Sequence, residues 1–232
     1  MLQTRINDVM TVDAKIKKWS GWLKDHIEPE VSKLLWSSNI YAETRQIVIS
    51  NPAINTGNRF YEWIDRNYVH TTLMGIRRQV DKHRDAASLV NLLVDMKENC
   101  NLLTRKRYLE LYSKDRMQGL GNRDYDNIAG DSVNIFPVEK LEKDLQELEN
   151  IDNLHKTYID KRLAHREKIS TLNQLGTYQD LDNAVTIFEE ITVRYYLLLL
   201  ATTIELLPPP NHDWKDIFSQ AWIVGTDDLD LK

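Results

Sequence analysis

The chain has 232 residues, 42% of them hydrophobic, so it can bury a sizeable core and disorder is not expected. Only 8 Gly and 6 Pro leave too few turns for a sandwich or barrel, and a formal charge of −5 does not suit a nucleic-acid coat, although a local basic patch remains compatible with it. The single Cys100 excludes an intrachain disulfide and a cysteine-based zinc site, and reads as a small buried hydrophobe in a reducing compartment.

The N-terminal residues carry charges where a signal peptide needs an apolar stretch, so a cytoplasmic location is expected. Residues 6–36 are predicted helical, with Ile16, Trp19, Leu23 and Ile27 recurring at three and four residues, and with Pro29 starting a new turn or helix. After a connection holding Pro52 and Gly57, residues 59–80 form a helix with two apolar stripes. One runs through Phe60, Ile64, Tyr68 and Thr71, the other through Val69, Leu73, Ile76 and Val80. Asp85 and Ser88 precede a helix whose apolar face is Leu89, Leu92, Leu93 and Met96, and a short helix follows over residues 102–112. The Gly-, Asn- and Asp-rich residues 118–134 read as a loop.

Pro137 suits a first helical turn, and Val138, Leu141, Leu145, Leu148 and Ile151 then recur at helical spacing toward His165. Thr177 to Asp180 matches a capping box ahead of the last long helix, whose apolar face is Leu181, Ala184, Val185, Phe188, Ile191 and Tyr195. Pro208, Pro209 and Pro210 stop that helix. Its most apolar run, residues 195–204, is shorter than the ~20 residues that span a bilayer, so no membrane association is expected. The expected fold is all-α: one helical bundle of about five main helices over residues 1–207. A short aromatic tail over 208–232, with Trp214, Phe218 and Trp222, is expected to pack on the bundle or meet a partner.

The common nucleotide, zinc-protease and hydrolase motifs are absent. None of the 6 His has a Glu three positions before it, as a bundle di-iron site would need, so neither metal nor cofactor is implied. The long fourth helix ends in HKTYIDKRLAHREK, where His155, Tyr158, Arg162 and His165 continue the face begun by Leu148 and Ile151. Lys161, Arg162, Arg166 and Lys168 surround His165 with positive charge that suits a phosphodiester and leaves the imidazole free for acid–base work. The plainer reading is a solvated helix end.

The order NRFYEWIDRNYVHTTLMGIRRQVDKHRDAASLVNLL, then DKRLAHREK, then DLDNAVTIFEEI resembles the abortive-infection, AbiU-like branch of the HEPN superfamily over most of residues 59–190. That resemblance implies a small helical bundle, usually a homodimer, and in many members a metal-independent endoribonuclease of toxin–antitoxin or phage-defence systems, with RNA and an antitoxin or other protein as partners. The family's catalytic mark is an Arg, four to six intervening residues, and a His. If the His is His165, the Arg should stand at 158, 159 or 160, which hold Tyr158, Ile159 and Asp160. The resemblance therefore places catalysis on His165 with Arg162 in the Arg's stead, and phosphate contacts on Lys161, Arg166, Arg77 and Arg78. Arg77 and Arg78 meet the spacing ahead of His83, but the preferred reading has them hold acidic side chains of neighbouring helices. Two other functions stay open: a catalytically degenerate RNA- or nucleotide-binding or regulatory module, and a helical protein-interaction scaffold.

Overall fold

The computed structural model describes residues 11–112, 117–158, 176–207 and 213–219. Eight α-helices occur among them: α1 (Val12–Trp22), α2 (Glu28–Ser50), α3 (Arg59–Gln79), α4 (Leu89–Glu98), α5 (Arg105–Glu110), α6 (Gln118–Ala129), α7 (Val138–Tyr158) and α8 (Tyr178–Leu200). Short 3-10 turns cover Cys100–Leu102 and Asp213–Ser219, and no strand occurs among the described residues. The fold is the all-α bundle expected.

Helix starts follow the side chains that can accept orphan amide protons. Thr11, Asn58, Ser88 and Thr104 accept from the amides of Ala14, Phe60, Asn91 and Arg107. Thr177 and Asp180 form the reciprocal capping box of α8. Pro29 stands in the first turn of α2, as expected, yet no loop separates α2 from α1. A π-helical turn over Leu23–Ile27 joins them, with Glu28 N–H donating to the Leu23 carbonyl. The wider turn absorbs the place where proline has no proton to donate.

The core runs from Trp19, Leu23 and Ile27 through the α4 face Leu89, Leu92, Leu93 and Met96 to Phe188, Ile191 and Tyr195, all at most 1% exposed. α8 lies against α1, α2, α3 and α7, and α4 packs on α7. Gly75 lets α3 approach α2 closely: a Cβ there would stand 2.3 Å from Leu34 Cδ2. Tyr41 of α2 and Tyr68 of α3 stack with centroids 3.9 Å apart. Their hydroxyls donate to Asp65 and Asp182 at 2.9 and 2.6 Å, tying α2, α3 and α8 together. Burial, then the Asp182 hydrogen bond, pushes the Tyr68 hydroxyl up to about 12.

Residues 118–134 depart from expectation, since most of them form α6 rather than a loop. Arg105 is the reason. Its Nη1 donates to Asn122 Oδ1 at 3.2 Å, its Nη2 to Asp126 Oδ1 at 2.5 Å and its Nε to the Val133 carbonyl at 2.8 Å. Asn122 and Asp126, turn formers by composition, lie one helical turn apart and bind one guanidinium. Between them Tyr125 is fully buried, under that guanidinium and with its hydroxyl donating to the Leu103 carbonyl. Tertiary contacts override local propensity here.

The first α3 stripe also differs: Phe60 and Thr71 are exposed, and the buried line is Tyr68, Thr72, Leu73, Ile76 and Gln79. Cys100 is a free thiol, half-buried rather than enclosed. Of the tail, Asp213–Ser219 is described, with Trp214 and Phe218 half-buried and Lys215 paired with Glu43 of α2. Pro208, Pro209, Pro210 and Trp222 lie outside the described residues.

Candidate functional site

The inward stripe of α7 is Leu141, Asp144, Leu148, Ile151 and His155, at alternating three- and four-residue spacing, and every member is at most 6% exposed. An apolar seam thus carries one carboxylate and one imidazole, and burying such groups costs free energy unless they are paired or neutral. The two positions solve that problem differently.

At Asp144 the solution is pairing. Arg194 of α8 places Nη1 2.5 and 2.6 Å from the two carboxylate oxygens, and the Tyr195 hydroxyl donates to Oδ2 at 2.7 Å. Burial works against the Arg194 charge, but the Asp144 hydrogen bond and charge outweigh it and raise the guanidinium pKa. Burial and then the Asp144 charge drive the Tyr195 hydroxyl far above the ordinary phenol value.

At His155 the solution is neutrality. The ring is 2% exposed, and burial lowers its pKa, with the Asp180 charge and a backbone hydrogen bond there opposing. Its Nε2 has no hydrogen-bond partner among the described residues. His155 walls a pocket of about 420 Å³ with Val69 and Leu73 of α3 and Thr177, Tyr178 and Leu181 at the start of α8. α7 is described as far as Tyr158, and Gly176, ahead of α8, lines the same pocket, where a Cβ would stand 3.0 Å from the His155 ring.

His165, Arg162, Lys161 and Arg166 fall in 159–175, outside the described residues. Arg77 and Arg78 stand in the last turn of α3. Arg78 Nη2 lies 2.9 Å from Glu30 Oε2 of α2, the ion-pair role preferred from sequence. Arg77 is half-buried, and neither Arg is among the described residues lining the His155 pocket. His83 is exposed; its Nδ1 accepts from the Asp85 amide at 3.4 Å. Among the described residues no cluster of three or more His, Cys, Asp or Glu is placed to hold a metal ion.

A family model for AbiU2, of the HEPN class, matches residues 16–221. The chain belongs to the HEPN AbiU2 family. That match takes in α1 to α8 from Ile16 onward, together with residues 159–175. Searches among curated proteins and among solved structures gave no match. Membership makes this an abortive-infection-associated HEPN-like bundle, and no described helix is long and apolar enough to cross a membrane.

In the sequence of this AbiU2-family chain Asp144 and Arg194 were not singled out as a pair, and Tyr195 was read only as part of the apolar face of α8. Their signal was available: Asp144 occupies a stripe position between Leu141 and Leu148, and Arg194 interrupts the apolar run ITVRYYLLLL. A charge at a seam position on each of two helices is the pattern of a buried ion pair.

Proposed function

We propose that this protein is a metal-independent endoribonuclease of an abortive-infection system, with its chemistry on residues 159–175. Family membership over 16–221 supports this reading, together with the basic residues that surround His165 in the sequence. In this reading His165 takes the proton of a ribose 2′-hydroxyl as its oxygen attacks the adjacent phosphorus, and the 5′-oxygen departs. Arg162 stabilises the charge that develops on the phosphoryl oxygens, and Lys161, Arg166, Arg77 and Arg78 draw in the RNA backbone. The protein acts in the cytoplasm as a homodimer, without a cofactor and under control of an antitoxin or other protein partner.

A second reading is favoured by one observation, that Tyr158, Ile159 and Asp160 fill the positions where the family's catalytic Arg is expected. In it the protein binds RNA and leaves it intact. The deciding experiment incubates purified protein with single-stranded RNA in excess chelator. Cleavage that His165→Ala lowers by about 100-fold or more, with helical content unchanged, supports the enzyme. Binding that weakens steeply with salt, without cleavage at any protein concentration, supports the second reading.

A further inference from the structure

Some 11 residues before His155 on α7, hence about 16 Å along the helix, the Asp144 pair opens onto a cleft of about 340 Å³ between α6, α7 and α8. It is lined by Asn127 and Ile128 of α6, Lys140, Lys143 and Asp144 of α7, and Arg194 of α8. Both Arg194 contacts to Asp144 are made by Nη1 alone. The N–H groups on Nε and Nη2 have no partner among the described residues, and the side chain keeps 32% of its surface in solvent. Asp144 is 3% exposed and fixed in turn by Tyr195, so the free edge of the guanidinium is held in one orientation.

A buried ion pair is a weak source of stability, because desolvation offsets most of its attraction. Its clear consequence here is to aim a planar two-nitrogen edge outward. Lys140 spends one proton on the Ile128 carbonyl, at 2.6 Å, and keeps the others. Lys143 is 77% exposed on its side chain and stands 3.9 Å from Glu147, beyond hydrogen-bonding distance. Three cations and one carboxylate, already satisfied within the protein, line the cleft, and a second carboxylate, Glu147, lies near enough to act on Arg194 and to pair with Lys143. A fixed guanidinium edge flanked by two ammonium groups matches a tetrahedral oxyanion carrying more than one oxygen to bind.

We propose that the α6–α7–α8 cleft is a phosphate-binding site, with Arg194 as its fixed donor and Lys140 and Lys143 as its mobile ones. The site does not rest on the ribonuclease reading, and its phosphate comes either from a nucleic-acid backbone or from a free phosphate group. The test measures binding of inorganic phosphate by calorimetry at constant ionic strength, and of single-stranded RNA by filter retention. It uses wild type, Lys143→Glu, Arg194→Lys and, as a control for net charge, the exposed Lys24→Glu. The expected result is phosphate binding weakened about 10-fold or more in Lys143→Glu and Arg194→Lys, and less than about twofold in Lys24→Glu.

If the same two variants also weaken RNA and flatten its salt dependence, the phosphate is that of a backbone. If RNA is unaffected, it is a free group. Wild type that binds neither probe, or cleft variants that bind both as well as wild type does, overturns the proposal. Should Arg194→Lys fail to fold, the exposed Lys143→Glu decides alone.

Discussion

Replacing Tyr195 by Phe isolates one hydrogen bond in the α7–α8 seam. The ring is fully buried, lies 6.0 Å edge-on to Phe136, and has space for phenylalanine in the same rotamer, so packing is retained. What is lost is the 2.7 Å hydrogen bond to Asp144 Oδ2. Hydrogen bonds to ionised groups contribute about 1.5–3 kcal/mol, and Asp144 keeps Arg194, so a loss near 2 kcal/mol is expected. For a chain of this size that lowers the melting midpoint by about 4–8 °C. Asp144→Asn alone strands a half-buried guanidinium and costs about 3–5 kcal/mol. In Asp144→Asn the Tyr195 hydroxyl no longer meets a charge, so removing it from that variant costs less, and the double variant should fall short of additive by about 1 kcal/mol or more. Urea titration followed by helical circular dichroism measures all four corners. A Tyr195→Phe cost below about 0.5 kcal/mol, or strict additivity with Asp144→Asn, refutes a tyrosine that serves the carboxylate.

Gly75→Ala drives a methyl group against Leu34 and should cost about 1–3 kcal/mol, partly recovered in combination with Leu34→Ala; equal stability of Gly75→Ala and wild type in urea speaks against the close α2–α3 approach. His155 has a native pKa below the ordinary 6.5, so the unfolded chain binds the proton first; stability therefore holds above about pH 6.5 and falls as pH drops below it. The urea midpoint compared at pH 7.5 and 5.5 shows this, and His155→Phe should remove that part of the loss.

The helices were legible wherever one face of the sequence is apolar and a cap is present. Ser88 with Leu89, Leu92, Leu93 and Met96, and Thr177 with Asp180, state both the start and the buried side of their helices without reference to anything distant. The α6 segment was not legible, because its helix depends on Arg105, an arginine from another element that converts Asn122 and Asp126 from turn formers into ligands. The exposed start of α3 misled for a related reason: Phe60 and Trp63 stack on each other at 6.0 Å rather than on the core, and periodicity does not distinguish the two. At the site, the basic stretch after Tyr158 was visible as composition, whereas Asp144 and Arg194 were each visible as a charge in an apolar pattern but joining them required knowing that α7 and α8 face one another.

The two polar members of the α7 seam account for what lies at either end of it. A carboxylate in a dry seam needs a cation, and the cation that reaches it, Arg194, satisfies it with one nitrogen while its side chain stays partly exposed in the α6–α7–α8 cleft. A neutral imidazole needs no such partner. It packs against Gly176 and the start of α8, where the Asp180 charge and a backbone hydrogen bond at Asp180 act on the ring. An apolar residue at 155 would also pack, but it would remove the proton dependence of that junction. Replacing His155 by Phe therefore tests the titrating ring: if its proton matters to the proposed RNA binding, the variant loses any dependence of that binding on pH between 5.5 and 7.5 while the fold persists, and an unchanged dependence refutes that role.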